Sequence, residues 1–219
     1  MNERTITVKG IGNVKTAPDL VIISVKLTTT TPEYEKTTEC AALDIEAIRK
    51  ALVSIGYDKK ALKTTDFKIK TEYESIKDAA GNWKQKFNGY SCIHHLKLEF
   101  DLEMKRLEET ILAIAKSGAN PEFNITFSVK DKAAVQAELL EKAVSNATAK
   151  ADILAKASGV SLGEIRHINY SWGELHLYSN TRFDDNDGTI RFLEAASTMD
   201  IEPEDVEVND TVTVIWDIK

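Results

Sequence analysis

Leu154-Ala155-Lys156-Ala157-Ser158-Gly159, with a strand reading from Glu164, closes the third copy of a module that decides the fold of this 219-residue chain. The first copy reads Ala51-Leu52-Val53-Ser54-Ile55-Gly56 ahead of a strand from Lys63. The second reads Leu112-Ala113-Ile114-Ala115-Lys116-Ser117-Gly118 ahead of a strand from Glu122. In each copy an amphipathic helix stops on a glycine, the residue that takes the left-handed C-terminal conformation without a Cβ clash. A short turn and a strand follow. The repeated module predicts helices laid on a sheet, and none of its copies brings a nucleophile–base pair, a metal cage or a phosphate loop with it.

Outward from the module, Thr5 to Gly12 reads as a strand ending in a bend at Gly10-Ile11-Gly12, and Leu20 to Thr31 as a β-branched strand. Thr31 then reads as a helix cap with Pro32 at the first helical position. Tyr34, Thr38, Ala41, Ile45, Ile48, Leu52 and Ile55 form one apolar stripe. Thr64–Ile76 and Lys84–Asp101 read as two strands around an Asp78–Asn82 turn. A short helix carries Leu107, Ile111 and Ile114, and Phe123, Ile125, Phe127 and Val129 alternate as a strand. Asp131 reads as the cap of the longest helix, whose stripe Ala137, Leu140, Val144, Ala147, Ala151 and Leu154 is dominated by alanine. Small residues there predict a helix lying tight on the sheet. Ile165–Tyr178 reads as a strand, residues 179–204 as a long acidic loop, and Asp205 to Ile218 as the closing strand. The order is ββα-ββ-α-β-α-β-loop-β. The class is α+β, a mostly antiparallel sheet with about three helices packed on one face. The chain is either a single domain over 1–219 or two sub-domains, 1–101 and 102–219.

Composition fits a globular protein: 42% hydrophobic and 29% charged residues supply a core without disulfide staples. Cys40 and Cys92 read as two buried thiols rather than one disulfide. Net charge is −7, and it is unevenly placed. Residues 184–210 hold ten acids and one base, a net −9, while the rest of the chain carries +2. No basic stripe marks a nucleic-acid partner. No apolar run approaches a membrane span, and Met1-Asn2-Glu3-Arg4-Thr5 has no signal-peptide core. As written the chain reads as cytoplasmic; trimmed of an export signal, a periplasmic chain would read the same.

Chemistry-bearing residues are sparse. Gly10-Ile11-Gly12 lacks the third glycine and the following helix of a dinucleotide loop, so it reads as a bend or bulge. Aligning Gly188 with the glycine of a calcium loop brings Asp185, Asp187 and Glu194 to ligand positions, but Phe183 falls where a carboxylate is required. That trio is the one metal candidate, set against a plain solvated acidic loop. His94 and His95 face opposite sides of a strand, and so do His167 and His176, which are an odd nine residues apart. Ser91, Ser128 and Ser171 sit in no elbow motif. Trp83, Tyr90 and Trp172 are available to stack on a ligand, though strand aromatics usually pack. Lys26, Lys68, Lys70, Tyr73 and Tyr90 lie on strands where a pocket would form, but no motif selects them. No catalytic residue and no cofactor is expected.

Taken in order, Ile6-Thr7-Val8-Lys9-Gly10-Ile11-Gly12 with Pro18-Asp19 resembles the opening of SIMPL-domain proteins. Gly89-Tyr90 before an alternating strand is similar to that family. So is the helix bearing Ala143, Ala147, Ala151, Leu154 and Ala155 and closing on Gly159. The last strand, Val206-Glu207-Val208 and Val212-Thr213-Val214, completes the resemblance. The family includes bacterial periplasmic proteins linked to oxidative stress, a periplasmic immunogenic protein that forms channel-like rings, and an animal adaptor that binds a signalling kinase. The resemblance implies no established enzyme activity and transfers no catalytic residues.

The expectation is a non-enzymatic, self-assembling binding or scaffold protein, a stress-related role being what the resemblance implies. It would form homo-oligomers through edge strands such as Thr5–Gly12 and Asp205–Ile218, or bind a protein partner. The alternative is a small-molecule- or calcium-responsive protein that uses the acidic loop.

Overall fold

A computed structural model describes residues 4–77, 81–170, 175–185 and 202–219. In chain order the elements are β1 (Thr5–Thr16), β2 (Leu20–Thr31), α1 (Tyr34–Ser54), β3 (Lys63–Lys77), β4 (Trp83–Asp101) and α2 (Met104–Ala115). They continue with β5 (Glu122–Ser128), α3 (Lys132–Ala157), β6 (Leu162–Tyr170), β7 (Tyr178–Asp185) and β8 (Val206–Ile218). The α+β class and the mostly antiparallel pairing are those read from the sequence. The strands, however, form two sheets, one ordered β1-β8-β6 and one ordered β3-β4-β2-β5-β7.

Two compact units result. The first lies within Met1–Asp19, Ser128–Asn180 and Pro203–Lys219, the second within Leu20–Phe127 and Thr181–Glu202. A cut at 101/102 would part β4 from the α2 and β5 residues that share its core. Leu96, Leu98 and Phe100 pack with Leu107, Ile111, Ile114, Phe123, Ile125 and Phe127. The first unit begins before the second and ends after it.

The second unit follows the order β2-α1-β3-β4-α2-β5, a split β-α-β arrangement. α1 and α2 cover one sheet face through Ile45, Ile48, Leu52, Leu107, Ile111 and Ile114. The α1 stripe is as expected from Ala41 to Leu52, but Thr37 replaces Thr38 as its buried first-turn member, and Tyr34 is exposed. Thr31 does not cap α1. Glu33 occupies that position, and the Thr31 hydroxyl donates to the Glu33 carbonyl (2.8 Å) and bonds the Thr37 hydroxyl (2.7 Å).

In the first unit α3 lies on β1 and β8. Asp131 caps it as expected, its carboxylate accepting from Ala134 N at 2.8 Å. The buried row is Val135, Leu139, Ala143, Ala147, Ala151 and Ala155, a strict four-residue repeat. Ala147 and Ala151 are shared with the expected stripe, whereas Leu154 is exposed. A four-residue repeat drifts about 40° per step around a helix. The row therefore winds from the Val14–Leu177–Val206 cluster to the Val8–Val212–Trp216 cluster, following a twisted sheet. Periods of three and four cannot anticipate that drift.

Gly10 and Gly12 are not a bend. β1 pairs with β8 without a register shift from Thr5 to Thr16, straight through both glycines. A Cβ on Gly10 would lie 2.0 Å from the Ala143 carbonyl oxygen and 2.7 Å from the Ala147 Cβ; one on Gly12 would lie 2.1 Å from the Leu139 carbonyl oxygen. The glycines remove side chains where a helix backbone rests directly on a strand. Asn146 Oδ1 accepts from Ile11 N (3.0 Å), and Lys150 Nζ donates to the Lys9 carbonyl (3.3 Å). Both backbone groups belong to the edge of β1 turned away from β8.

Two strand expectations change. The strand read over Ile165–Tyr178 ends at Tyr170, and a separate strand, β7, occupies the start of the segment read as a loop from 179. β8 was expected to be an edge. It is the central strand of its sheet, paired with β1 on one side and β6 on the other, so its backbone is spent within the chain.

Gly10→Ala should lower stability by about 3 kcal/mol, the upper end of the usual range for overpacking a tight core, because the added carbon meets backbone that cannot rotate away. Gly56→Ala, at a left-handed glycine with nothing within 4 Å of the added carbon, should lose only the conformational penalty of about 1 kcal/mol. Urea midpoints of the two variants check this; equal losses would mean that clearance under α3 is not the constraint.

Candidate functional site

Two surfaces of the second unit gather the residues singled out in the sequence. The first is the sheet face turned away from α1 and α2. Asp66 of β3 stands opposite His95 of β4, and His95 opposite Lys26 of β2. Lys26 Nζ reaches Glu122 Oε2 of β5 at 2.9 Å. One row of charge thus crosses four strands, and it floors an open cavity of about 480 Å³ shared with Ser24, Lys97 and Asn124.

The cations on these strands are matched by acids. Lys68 Nζ is 2.8 Å from Asp66, Lys70 Nζ 3.0 Å from Glu72 and Lys97 Nζ 2.9 Å from Glu99. The hydrogen bond from Lys68 holds the Asp66 carboxyl below its ordinary value despite the opposing effect of desolvation. Such exposed pairs stabilise weakly, by about 0–1 kcal/mol each. The arrangement is a balanced polar groove suited to neutral or zwitterionic groups. Of the strand residues named from the sequence, Lys26 lines it, while Lys68 and Lys70 stand farther along β3.

Tyr73 and Tyr90 belong to the second surface. β2 pairs with β4 only from Tyr90 to Asp101, so beyond Tyr90 the β3–β4 hairpin continues as a two-stranded ribbon. The register shifts between Glu72 and Tyr73, where Gly89 at φ +126° opposes Glu72 and Phe87 opposes Tyr73. This bulge changes the parity of β4. Even-numbered residues face the helices from Tyr90 onward, whereas odd-numbered residues continue that face along the ribbon. The aromatic rings therefore line up. Tyr34–Tyr90, Tyr90–Phe87 and Phe87–Tyr73 centroids lie 5.5, 5.3 and 5.9 Å apart, all edge-on. Farther out, Lys77 Nζ sits 5.0 Å from the Trp83 ring. α1 begins only at Tyr34, so among the described residues no helix of this unit covers the row, and Tyr73 and Trp83 are 57% and 69% exposed.

The histidines separate as strand alternation requires. His95 lies in the open groove. His94 is buried on the helix side, where Thr64 Oγ1 bonds its Nε2 at 2.9 Å, the Phe67 ring meets it edge-on and its Nδ1 has no partner among the described residues. His167 is exposed on β6 and His176 lies beyond the end of that strand, so the parity comparison between them no longer applies. Cys40 and Cys92 are free thiols. Cys92 is buried and Cys40 half-buried, and burial raises the Cys92 pKa, which keeps it a thiol. Ser128 is buried and donates to the Leu177 carbonyl. Ser91 is buried at hydrogen-bond distance from Thr30. Among the described residues no three His, Cys, Asp or Glu side chains converge as a metal site. Asp185 ends β7, but its side chain lies outside the described residues, as do Asp187, Glu194, Ser171 and Trp172. Among the described residues no helix is long and apolar enough to cross a membrane.

The aromatic row escaped sequence reasoning because the bulge interrupts it. The period-2 spacing of Trp83, Gln85 and Phe87 ahead of Gly89 is the signal that marks it.

Desolvation, then the nearby Arg49 and His95 charges, lowers the His94 pKa below the ordinary 6.5. Between those two values the unfolded chain binds the proton and the folded chain does not, so stability rises with pH. Stability should therefore fall as pH drops below 6.5 and level off once His94 protonates in the folded state; His94→Gln should flatten that portion. Urea midpoints across mildly acidic pH check this. An unchanged slope in the variant would remove His94 as the source.

No curated protein matches the chain. The family model described as SIMPL, a protein of unknown function (DUF541), matches residues 6–216. That span runs from the strand that seats α3, through the inserted split β-α-β unit, to the central strand of the first sheet. On that match over nearly its whole length, the chain belongs to the SIMPL family.

Proposed function

We propose that this protein is a non-enzymatic scaffold that assembles with further copies of itself through the β3–β4 ribbon. The observation that carries the reading is the uncovered aromatic row Tyr34, Tyr90, Phe87 and Tyr73 with Trp83 beyond it. A ring of this kind buries about 150–250 Å² when fully covered. Several half-exposed rings thus offer a few hundred Å² of apolar surface, in the range where patches mark interaction sites. The row continues a helix-covered sheet face past the helix that covers it, so an element from another chain fits where α1 stops. Lys68, Lys70 and Lys77 leave the outer edge of β3 charged, which favours a docked face over indiscriminate strand addition. β6 is another edge strand, with Ile165 and Ile168 about half exposed. The ring-forming relatives implied by the resemblance support the same direction.

Light scattering after size exclusion should give a discrete oligomer whose mass is independent of concentration. Phe87→Glu should weaken association at least about 30-fold, the loss expected at an interface hot spot, with the melting temperature retained. A monomer at every concentration, or a Phe87→Glu chain that assembles as the parent does, would overturn the reading.

A further inference from the structure

The connection from α1 to β3 builds a second kind of surface. Arg49 of α1, Lys59, Lys60 and Leu62 of the connection, and Lys63 and Thr64 of β3 line an open cavity of about 430 Å³. Its four cations have no acid among the lining residues. Among the described residues none of the four forms an ion pair, in contrast to Lys26, Lys68, Lys70 and Lys97 on the same sheet. The neighbouring acid, Asp58, is turned to the backbone, its Oδ1 accepting from Lys60 N at 2.7 Å. Four uncompensated positive charges on a chain of net charge −7 are a local inversion of the protein's field.

The cavity is also preorganised. Asp58 O accepts from Ala61 N (2.9 Å), closing the turn that carries Lys59 and Lys60. Tyr57 before the turn and Leu62 after it are both buried in the core of the unit, and the Tyr57 hydroxyl bonds Thr110 at 2.7 Å. The Thr64 hydroxyl is fixed by the His94 ring. A second observation is independent of the charge count. Arg49 Nε is shut off from solvent and, among the described residues, has no hydrogen-bond partner. An unsatisfied buried donor costs about 1–3 kcal/mol, more for a charged group, and the negative charge of an anion beside that guanidinium would offset part of the cost. A planar guanidinium beside several ammonium groups is the donor set that grips phosphoryl oxygens, the fork by geometry and the lysines by charge.

We propose that this cavity binds a soluble anion carrying two or more linked phosphoryl groups. Its volume exceeds what one phosphate fills, and its charge matches a diphosphate better than a monoanion. The site lies apart from the aromatic row and does not depend on self-assembly.

Calorimetric titration of the full chain with inorganic pyrophosphate and with inorganic phosphate tests this. Pyrophosphate should bind, phosphate should bind at least about tenfold more weakly, and added salt should weaken both. Arg49→Gln and Lys60→Gln should each weaken pyrophosphate binding at least about tenfold, while Lys68→Gln, on a paired lysine of the same strand, should leave it unchanged. Lys60 is exposed, so its variant keeps the test decisive should Arg49→Gln fold poorly. No heat and no rise in melting temperature at millimolar pyrophosphate would overturn the proposal. Equal weakening by Lys68→Gln would do the same, reducing the effect to general surface charge.

Discussion

The direct seating of α3 on β1 is the constraint from which the first unit follows. An ordinary strand keeps a helix at side-chain distance, about 10 Å between layers. Here Gly10 and Gly12 offer no side chain, Ala143 and Ala147 offer one carbon each, and the Ala143 carbonyl lies where a Cβ of Gly10 would stand. At that separation the helix also reaches past the sheet. Asn146 and Lys150 satisfy Ile11 N and the Lys9 carbonyl, which would otherwise be open ladder groups at the edge of β1. One close contact thus fixes the rotation of α3, protects a sheet edge and decides which residues of a 26-residue helix are buried.

The same unit explains how a second one is carried within its sequence. The chain leaves β1 through Pro18-Asp19 and returns at Ser128, and these points are fastened together. Asp19 N donates to the Ser128 carbonyl at 3.0 Å, and Asp19 Oδ1 accepts from Lys130 N at 2.8 Å. The intervening 108 residues, Leu20–Phe127, form most of a split β-α-β body with its own core. Joining two neighbouring backbone points adds little loop-closure cost to the host, whatever the length inserted. β8 then completes the host sheet as its central strand, so the last element in sequence holds the first and the sixth strands together.

The sequence made the local elements legible because their causes are local. Gly56, Gly118 and Gly159 do stop helices at positive φ, Asp131 does cap α3, and Phe123, Ile125 and Phe127 do alternate into a core. What escaped is non-local. The role of Gly10 and Gly12 is invisible until Ala143 is known to lie above them. A division at 101/102 respects sequence order, whereas β2 and β5 share a sheet across the length of the insertion. Parity arguments placed His94 and His95 correctly because no bulge lies between them. They missed the aromatic row because one does, at Asn88-Gly89. Likewise Lys59, Lys60 and Lys63 are an ordinary polar run until α1 brings Arg49 beside them.

The two unabsorbed surfaces of the second unit differ in what they lack, and that difference separates their roles. The groove over Asp66, His95 and Lys26 is electrically complete, with carboxylates at 2.8–2.9 Å from the ammonium groups of Lys26, Lys68 and Lys97. Desolvating such pairs is costly, so a charged ligand there would have to break existing contacts. The aromatic row lacks only apolar cover, which a protein surface supplies without any charge. The Arg49 cavity lacks only counter-charge, which a small multivalent anion supplies without any apolar area. A single ligand answering both needs would have to be at once greasy and polyanionic and to reach from the ribbon beyond Tyr90 to the turn at Asp58, at opposite ends of α1. The two deficits are therefore read as two sites, with assembly assigned to the ribbon and anion recognition to the turn.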